Sequence, residues 1–312
     1  RERGAFVAYR TRSRRRARRH PVRTALLVLI LLAGLLFAAV YAYSRATGLQ
    51  GSWWERLTAL FHTVGQQIAN LAPGQEDDPV AKNPYDASDF YQDGGYVRCT
   101  ASPVSRTGID VSSHQGAIDW QAVADAGIEF AIIRVGYRGY GNGTLNTDKN
   151  YVQNIKGAMN AGLKTGAYFF AQAITVEEAI EEADYVISLL DGLDIDGPIA
   201  YDWEMHDSTY RVYGTTPEMA TACAVAFCER IKEAGYTPMV YGGTYVSYMK
   251  YDQGALSKYL SWYPEYKSAK SEKLCPSLIY HMDYWQFSSS CTVAGISGRV
   301  DMNIQFDRRQ AA

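Results

Sequence analysis

Hydrophobic and polar residues alternate regularly over the C-terminal two thirds of the chain. Short runs rich in β-branched and aromatic residues, such as "TGIDVS", "FAIIRVGY" and "KTGAYFFA", are separated by segments with apolar residues at helical spacing. This spacing predicts helices over 151–161, 176–190 and 218–234. Strands that alternate with helices are typical of βαβ units and a parallel sheet. Eight such strands predict an irregular TIM-like β/α barrel over 105–309, with a doubly wound sheet as the alternative.

A run of twenty uncharged residues, "TALLVLILLAGLLFAAVYAY", lies near the N-terminus. As a helix it would be ~30 Å long, the thickness of a bilayer core, which predicts a single transmembrane helix over 24–45. Residues 1–23 contain ten Arg and one Glu. The positive-inside rule therefore places this basic segment in the cytoplasm and the C-terminal domain outside, at the cell membrane. Cleavage as a signal peptide, giving a secreted form, is the alternative.

Between this helix and the barrel, residues 46–104 change character twice. Apolar residues first recur at helical spacing, which predicts an amphipathic juxtamembrane helix, and a Pro- and Asp-rich stretch then predicts an extended linker. The net charge of -2 conceals the contrast between the basic head and an acidic remainder. Because the basic segment runs directly into the apolar one, we expect a membrane partner and no nucleic-acid partner.

The sequence holds five cysteines without the spacing of a metal site. Outside the membrane a disulfide is permitted, and Cys275 with Cys291 is the preferred pair because both lie in late, loop-like sequence. No cofactor and no metal are expected.

Acidic residues occur at the ends of three predicted strands. Asp110 lies in "TGIDVS", Asp202 and Glu204 lie in "PIAYDWE", and Asp301 lies in "GRVDMN". Side chains alternate along a strand, so Asp202 and Glu204 share one face of the fourth strand. Because the C-terminal strand ends of a β/α barrel carry its active site, we expect the four acids to converge there. Burial and repulsion would raise at least one pKa and keep a proton-donating carboxyl at neutral pH.

Aromatic residues are frequent near the same strand ends. Flat rings with a polar edge suit the apolar face of a sugar, although any one ring is also compatible with sheet packing. Two carboxylates beside an aromatic cleft fit the chemistry of glycoside hydrolysis. The candidate substrate-binding residues include Tyr137, Tyr168, Tyr241, Trp262, Tyr266 and Trp285.

Several ordered motifs over about 105–307 resemble the glycoside hydrolase family 25 lysozymes. They are "GIDVSSHQGAIDW", "FAIIRVGYRG", "KTGAYFF", the DxE of "YDWE", "YGG" and "YWQFSSSCTVAGISGRVDMN". The resemblance implies an N-acetylmuramidase that cuts the β-1,4 bond between N-acetylmuramic acid and N-acetylglucosamine in peptidoglycan. It also implies Glu204 as the catalytic acid with Asp202 as its partner, Asp110 and Asp301 as further acids, and Gln286 as a cleft residue.

The spacing fits three roles for Asp202: a nucleophile, a base for water, and a group that orients the substrate's N-acetyl oxygen. N-acetyl participation is the preferred mechanism, with Glu204 as acid and then base and with Asp202 orienting the N-acetyl group or stabilising the transition state. A membrane-tethered glycan-binding or scaffold protein without turnover is the alternative function. The basic head and apolar helix suggest a tethered enzyme that remodels nearby cell wall. Protein partners are not predicted.

Overall fold

The computed structural model describes residues 80–93, 96–100, 105–267 and 274–306, together with a few positions between 38 and 57. The chain divides into two units, Arg1–Tyr43 and Ser44–Ala312, and the second contains the sheet. Among the described residues, no helix has the length and apolar character needed to span a membrane. The predicted span at 24–45 and the amphipathic helix after it lie almost entirely outside these residues, so both remain predictions.

The described part of the chain contains eleven strands, in two sheets. They are β1 Phe90–Asp93, β2 Tyr96–Cys99, β3 Arg106–Val111, β4 Phe130–Arg138, β5 Leu145–Thr147, β6 Lys164–Ala171, β7 Ile199–Trp203, β8 Pro238–Tyr241, β9 Leu260–Pro264, β10 Tyr284–Cys291 and β11 Val300–Gln305.

Eight of these strands close into a ring. The order is β3, β4, β6, β7, β8, β9, β10 and β11, and β11 pairs back with β3, while β5 extends the edge of β4. This closure confirms the predicted β/α barrel and excludes the doubly wound sheet, which would be open. The "PIAYDWE" run forms β7, the fourth strand of the ring, as expected.

The eighth strand differs from the prediction in its direction. Strands β3 to β10 of the ring are parallel, but β11 runs antiparallel to both β10 and β3. Its N-terminal end, and not its C-terminal end, therefore lies at the rim where the parallel strands terminate. Asp301 still reaches that rim because it is the second residue of β11.

Helices cover the outside of the barrel after most of the parallel strands. The helices are α1 Trp120–Asp125, α2 Tyr151–Asn160, α3 Val176–Leu190, α4 Pro217–Glu233, α5 Thr244–Met249 and α6 Gln253–Leu256. Three of them, α2, α3 and α4, follow the predicted bounds closely. Local capping explains where the two longest begin: Thr175 and Thr216 each accept a hydrogen bond from a first-turn N–H group, and Pro217 occupies the first helical position.

The sheet packs apolar residues on both faces. Inside the barrel, Phe130, Ile132, Met239 and Tyr284 fill the end opposite the rim. Outside, Tyr201 and its neighbours on the outward face pack against the helices. The polar residues of the interior are thereby confined to the layer at the rim.

Part of the region expected to be an extended linker is folded onto the barrel. β1 and β2 form an antiparallel hairpin, and Phe90 packs edge-on against Trp285 at 5.3 Å between ring centroids. Tyr85 stacks on Phe306 at 4.3 Å, and the Asn83 amide donates to the Leu278 carbonyl. Residues from about 80 onward thus belong to the barrel's packing, which sequence analysis missed.

The preferred disulfide is absent. All five cysteines lie in the described part of the chain and all are unbridged. Cys275 instead contacts the Tyr85 carbonyl, so its neighbour is the segment before the hairpin and not Cys291.

Candidate active site

Strand β7 delivers two acids to the rim. Asp202 lies on the inward face and is buried, whereas Tyr201 and Trp203 point into the outer core, as the strand period predicts. Glu204 follows directly after the strand, and its side chain is 26% exposed. Asp202 and Glu204 are in hydrogen-bonding contact. Within the described structure, Asp202 Oδ1 is buried without a hydrogen-bond partner.

The other two acids face each other across the ladder between β3 and β11. Asp110 is the register partner of Asp301. Asp110 Oδ2 accepts hydrogen bonds from Gln286 Nε2 at 2.7 Å and from Asn303 Nδ2 at 2.8 Å. These two amides hold Asp110 in place at the floor of the cleft.

Burial and crowding at the rim raise the pKa of three aspartates, Asp110, Asp202 and Asp301. Burial, and then the charge of Asp301, raises the pKa of Asp110 well above its usual range. Burial, and then the charge of Glu204, does the same for the pKa of Asp202. Burial also raises the pKa of Asp301 to about 6. The site therefore retains protons near neutral pH, which a reaction that begins with protonation requires.

A partly buried cation offsets part of this negative charge. Arg134 lines the cleft and is held by Asp148, with Nη2 at 2.9 Å and Nε at 3.0 Å from Oδ2. Burial acts to raise the pKa of Asp148, but N–H donors from Ser113 and Asn150, together with Arg134, outweigh it and the pKa is lowered. Asp148 therefore stays ionised and fixes the guanidinium beside the acids of the cleft.

Aromatic side chains form the walls of the cleft. Tyr241 and Tyr266 both donate through their hydroxyl groups to Gln286 Oε1, each at 3.1 Å. Trp262 Nε1 donates to Asn303 Oδ1 at 2.8 Å, and Tyr168 packs edge-on against Trp262. One hydrogen-bond network thus joins the ring edges of the wall to Asp110.

The cleft has a volume of about 220 Å³ and contains most of the predicted site residues. Arg134, Phe170 and His206 were not among the predicted site residues. The lining residues are Asp110, Arg134, Tyr168, Phe170, Asp202, Glu204, His206, Tyr241, Trp262, Tyr266, Gln286 and Asp301.

Two predicted substrate-binding residues lie outside this lining. Trp285 is fully buried in the outer core, where its Nε1 donates to the Glu265 carbonyl. Trp285 and Gln286 are consecutive residues of β10, and their side chains point to opposite faces of the sheet, so only one of the two can face the cleft. Tyr137 is half-buried next to the guanidinium of Arg134, whose Cζ lies 5.4 Å from the ring centroid, and it is the register partner of Phe170, which lines the cleft.

Asn303 was missed, although its position carries a signal. It lies two residues after Asp301 on the same strand, and it belongs to the network that holds Asp110.

In the described residues, no group of three or more His, Cys, Asp or Glu side chains is arranged to hold a metal ion.

A closed β/α barrel with a rim of paired carboxylates and aromatic walls is the architecture of a glycoside hydrolase. Residues 109–296 match the model of the glycosyl hydrolases family 25. The chain belongs to this family, as the sequence motifs predicted.

Known lysozymes are similar to the chain. The autolytic lysozyme of Clostridium acetobutylicum is 29% identical over 197 residues, which cover 63% of this chain and 54% of that protein. Lysozyme M1 of Streptomyces globisporus is 31% identical over 201 residues, covering 63% of this chain and 66% of that protein. The chain thus spans less than two thirds of either relative. The crystal structure of a lysozyme from Streptomyces coelicolor superimposes with a TM-score of 0.53 at 27% identity, covering 67% of this chain and 94% of that one.

Proposed function

We propose that this protein is a peptidoglycan hydrolase that cleaves the β-1,4 bond between N-acetylmuramic acid and N-acetylglucosamine. The observation that carries the proposal is the pair formed by Glu204 and Asp202. Glu204 offers a partly exposed carboxyl to the cleft, and Asp202 lies buried beside it with an unpaired oxygen. The similarity to lysozymes supplies the expected substrate.

Glu204 is the proposed general acid. It gives its proton to the glycosidic oxygen as the bond from that oxygen to the anomeric carbon breaks, so that the leaving sugar departs as an alcohol. After departure, Glu204 holds the negative charge needed to take a proton from water in the second step.

Asp202 is the proposed partner that orients the substrate. Asp202 is buried in contact with Glu204, and within the described structure its Oδ1 has no hydrogen-bond partner, which supports a role in orienting the substrate's acetamido group. We therefore favour attack by the substrate's own N-acetyl oxygen. Asp202 Oδ1 would accept the acetamido N–H and direct that oxygen to the anomeric carbon, giving an oxazolinium ion that water opens.

The remaining cleft residues have supporting roles in this scheme. Asp301, with a pKa of about 6, adds negative potential beneath the site once it ionises, which favours the positive charge that develops on the sugar ring, and Asp110 faces it as its register partner. Tyr266, which is 52% exposed, presents aromatic surface to the glycan, and Trp262 lines the cleft from a buried position.

The proposed setting is the outer face of the cell membrane, with the protein held by a single span at 24–45 and its N-terminus in the cytoplasm. Such a tether would restrict the enzyme to nearby wall and favour local remodelling over lysis. Fractionation of cells, with antibody detection of the barrel, tests this: the protein should remain with membranes, and full-length protein in the medium would contradict it.

The activity is tested by digesting purified peptidoglycan and identifying the products by mass spectrometry. New reducing ends should lie on N-acetylmuramic acid, and Glu204→Gln should lower the rate by at least about 100-fold because it removes the transferable proton. Glu233→Gln, at an exposed position of α4, is the matched control. A folded wild-type protein that binds glycan without cleaving it would instead indicate the scaffold function, and more than a tenth of the rate in Glu204→Gln would refute the assignment of the acid.

A further inference from the structure

Two tyrosines stack on each other at one end of the cleft, outside its described lining. Tyr140, between β4 and β5, and Tyr210, between β7 and α4, have ring centroids 4.9 Å apart and planes inclined by 19°. Tyr140 is 53% exposed, so this is surface that the barrel's own packing does not cover. The exposed Tyr140 ring, backed by the partly buried Tyr210 ring, is a flat, amphipathic surface of the kind that sugars bind.

The pair is continuous with the catalytic acid. The Tyr210 ring contacts the ring of His206 edge-on at 5.1 Å. His206 Nε2 in turn lies 2.8 Å from Glu204 Oε2. Aromatic and imidazole surface therefore leads from the acid to Tyr140.

The two loops that carry the pair are fixed to each other. The Arg211 N–H donates to the Tyr140 carbonyl at 2.8 Å, which joins the loops next to the stacked rings. The Arg211 guanidinium binds both carboxylate oxygens of Glu178 and the Gln172 carbonyl. A Cβ on Gly143, which has a φ of +71°, would lie 3.0 Å from that guanidinium, so a glycine suits this close approach.

A second arginine, Arg138, anchors the loop between β4 and β5 from the interior of the protein. Arg138 is almost fully buried and donates to the Gly143 carbonyl at 2.9 Å and to Glu182 at 2.7 Å. Gln172, next to Glu182, donates through its side-chain amide to the Glu204 carbonyl at 2.7 Å. The ring pair and the catalytic acid therefore rest on one buried framework, which holds the pair at a constant position relative to the acid.

We propose that Tyr140 and Tyr210 form a further sugar-binding subsite, which takes a pyranose unit of the glycan strand beyond the two sugars at the scissile bond. The inference rests on the proposed function. Tyrosine pairs an apolar face with a hydroxyl group, which suits a pyranose better than it suits a lipid chain. A rigid platform lowers the entropy lost on binding, because the loops are already ordered.

The test compares Tyr140→Ala and Tyr210→Ala with the wild type on long glycan strands and on the disaccharide of N-acetylmuramic acid and N-acetylglucosamine, which spans only the two sugars at the scissile bond. Loss of one stacking contact should lower kcat/KM on long strands by about 3- to 10-fold, with at most about a 2-fold loss on the disaccharide. Tyr140→Phe keeps the ring and should stay within about 2-fold of wild type. Tyr213→Ala is the matched control, because Tyr213 lies in the loop that carries Tyr210 and is 55% exposed. Equal losses on both substrates, or no loss on long strands, would overturn the subsite.

Binding separates this inference from the proposed function. If the wild type cleaves nothing, the proposed function fails, and the subsite is then tested with Glu204→Gln protein and uncleaved glycan strands by calorimetry. Adding Tyr140→Ala to that protein should raise the Kd about 3- to 10-fold. An unchanged Kd would refute the subsite independently of activity.

Discussion

Asp301→Asn isolates the electrostatic cost of bringing acids together at the rim. Asp301 faces Asp110 across the strand ladder, and Glu204 adds repulsion. Asparagine has nearly the same shape, carries no charge, and can donate an amide hydrogen to Asp110. We therefore expect this substitution to increase stability while it lowers activity, as is common at functional sites.

The magnitude follows from the pKa of Asp301, which is raised from 3.8 to about 6. A rise of about 2 units corresponds to about 3 kcal/mol at 1.36 kcal/mol per unit. The folded protein binds this proton more tightly than the unfolded chain does. The stabilisation that this proton gives to the folded protein is therefore complete below about pH 3.8 and is lost as the pH rises through 6. The asparagine variant lacks this loss, so it should gain up to about 3 kcal/mol relative to wild type between pH 4 and pH 8.

Urea denaturation of both proteins at pH 4, 5, 6, 7 and 8 measures this difference. The free energy of unfolding of the variant relative to wild type should rise with pH and level off above pH 7. Asp194→Asn is the control, at an exposed acid that precedes β7 at the end of the barrel opposite the rim. Its free energy of unfolding relative to wild type should stay nearly constant with pH. A constant difference for Asp301→Asn as well would show that the acids at the rim do not repel one another as inferred.

Two further substitutions test the buried networks by the same denaturation assay. Asn303→Ala removes the amide that bridges Trp262 and Asp110, with both hydrogen bonds at 2.8 Å. It should lower the free energy of unfolding by about 3 kcal/mol because two buried groups lose a partner. A decrease below about 1 kcal/mol would contradict the bridge. Arg138→Met leaves the fully buried Glu182 without its cation and should cost about 3 to 5 kcal/mol. Arg230→Met, which breaks a partly exposed pair with Asp184, should cost less than about 1 kcal/mol, and equal losses for the two arginines would refute this reasoning.

The helices and the main strands could be predicted because their signals are local. Periodicity set the bounds of α3, and capping residues explain its start. The inward orientation of Asp202 followed from the two-residue period of a strand. The same period shows that one predicted cleft residue had to be wrong. Trp285 and Gln286 are adjacent on one strand, and adjacent side chains point to opposite faces of the sheet.

The hairpin at 90–99 gave no comparable local signal. Each of its strands has four residues, and the apolar residues that bury it, such as Phe90 and Val97, are interspersed with Asp, Gly and Tyr. Its strands are stable only because Trp285 and Phe306 lie beneath them. Such dependence on distant residues cannot be recognised from periodicity within the segment.

The antiparallel eighth strand explains how four acids from distant parts of the chain meet in one layer. In an all-parallel ring, Asp301 at the second position of its strand would lie at the end opposite Asp110. Reversal of β11 instead brings the start of that strand beside the end of β3, so that Asp301 and Asp110 become register partners. Asn303, two residues further along β11 and farther from the rim, then donates its side-chain amide to Asp110. The short chain between β10 and β11 permits this reversal, because antiparallel neighbours need only a tight connection whereas a parallel pair needs a crossover. Connection length is therefore the feature of the sequence that distinguishes the two directions, and it determines which end of the last strand supplies the fourth acid.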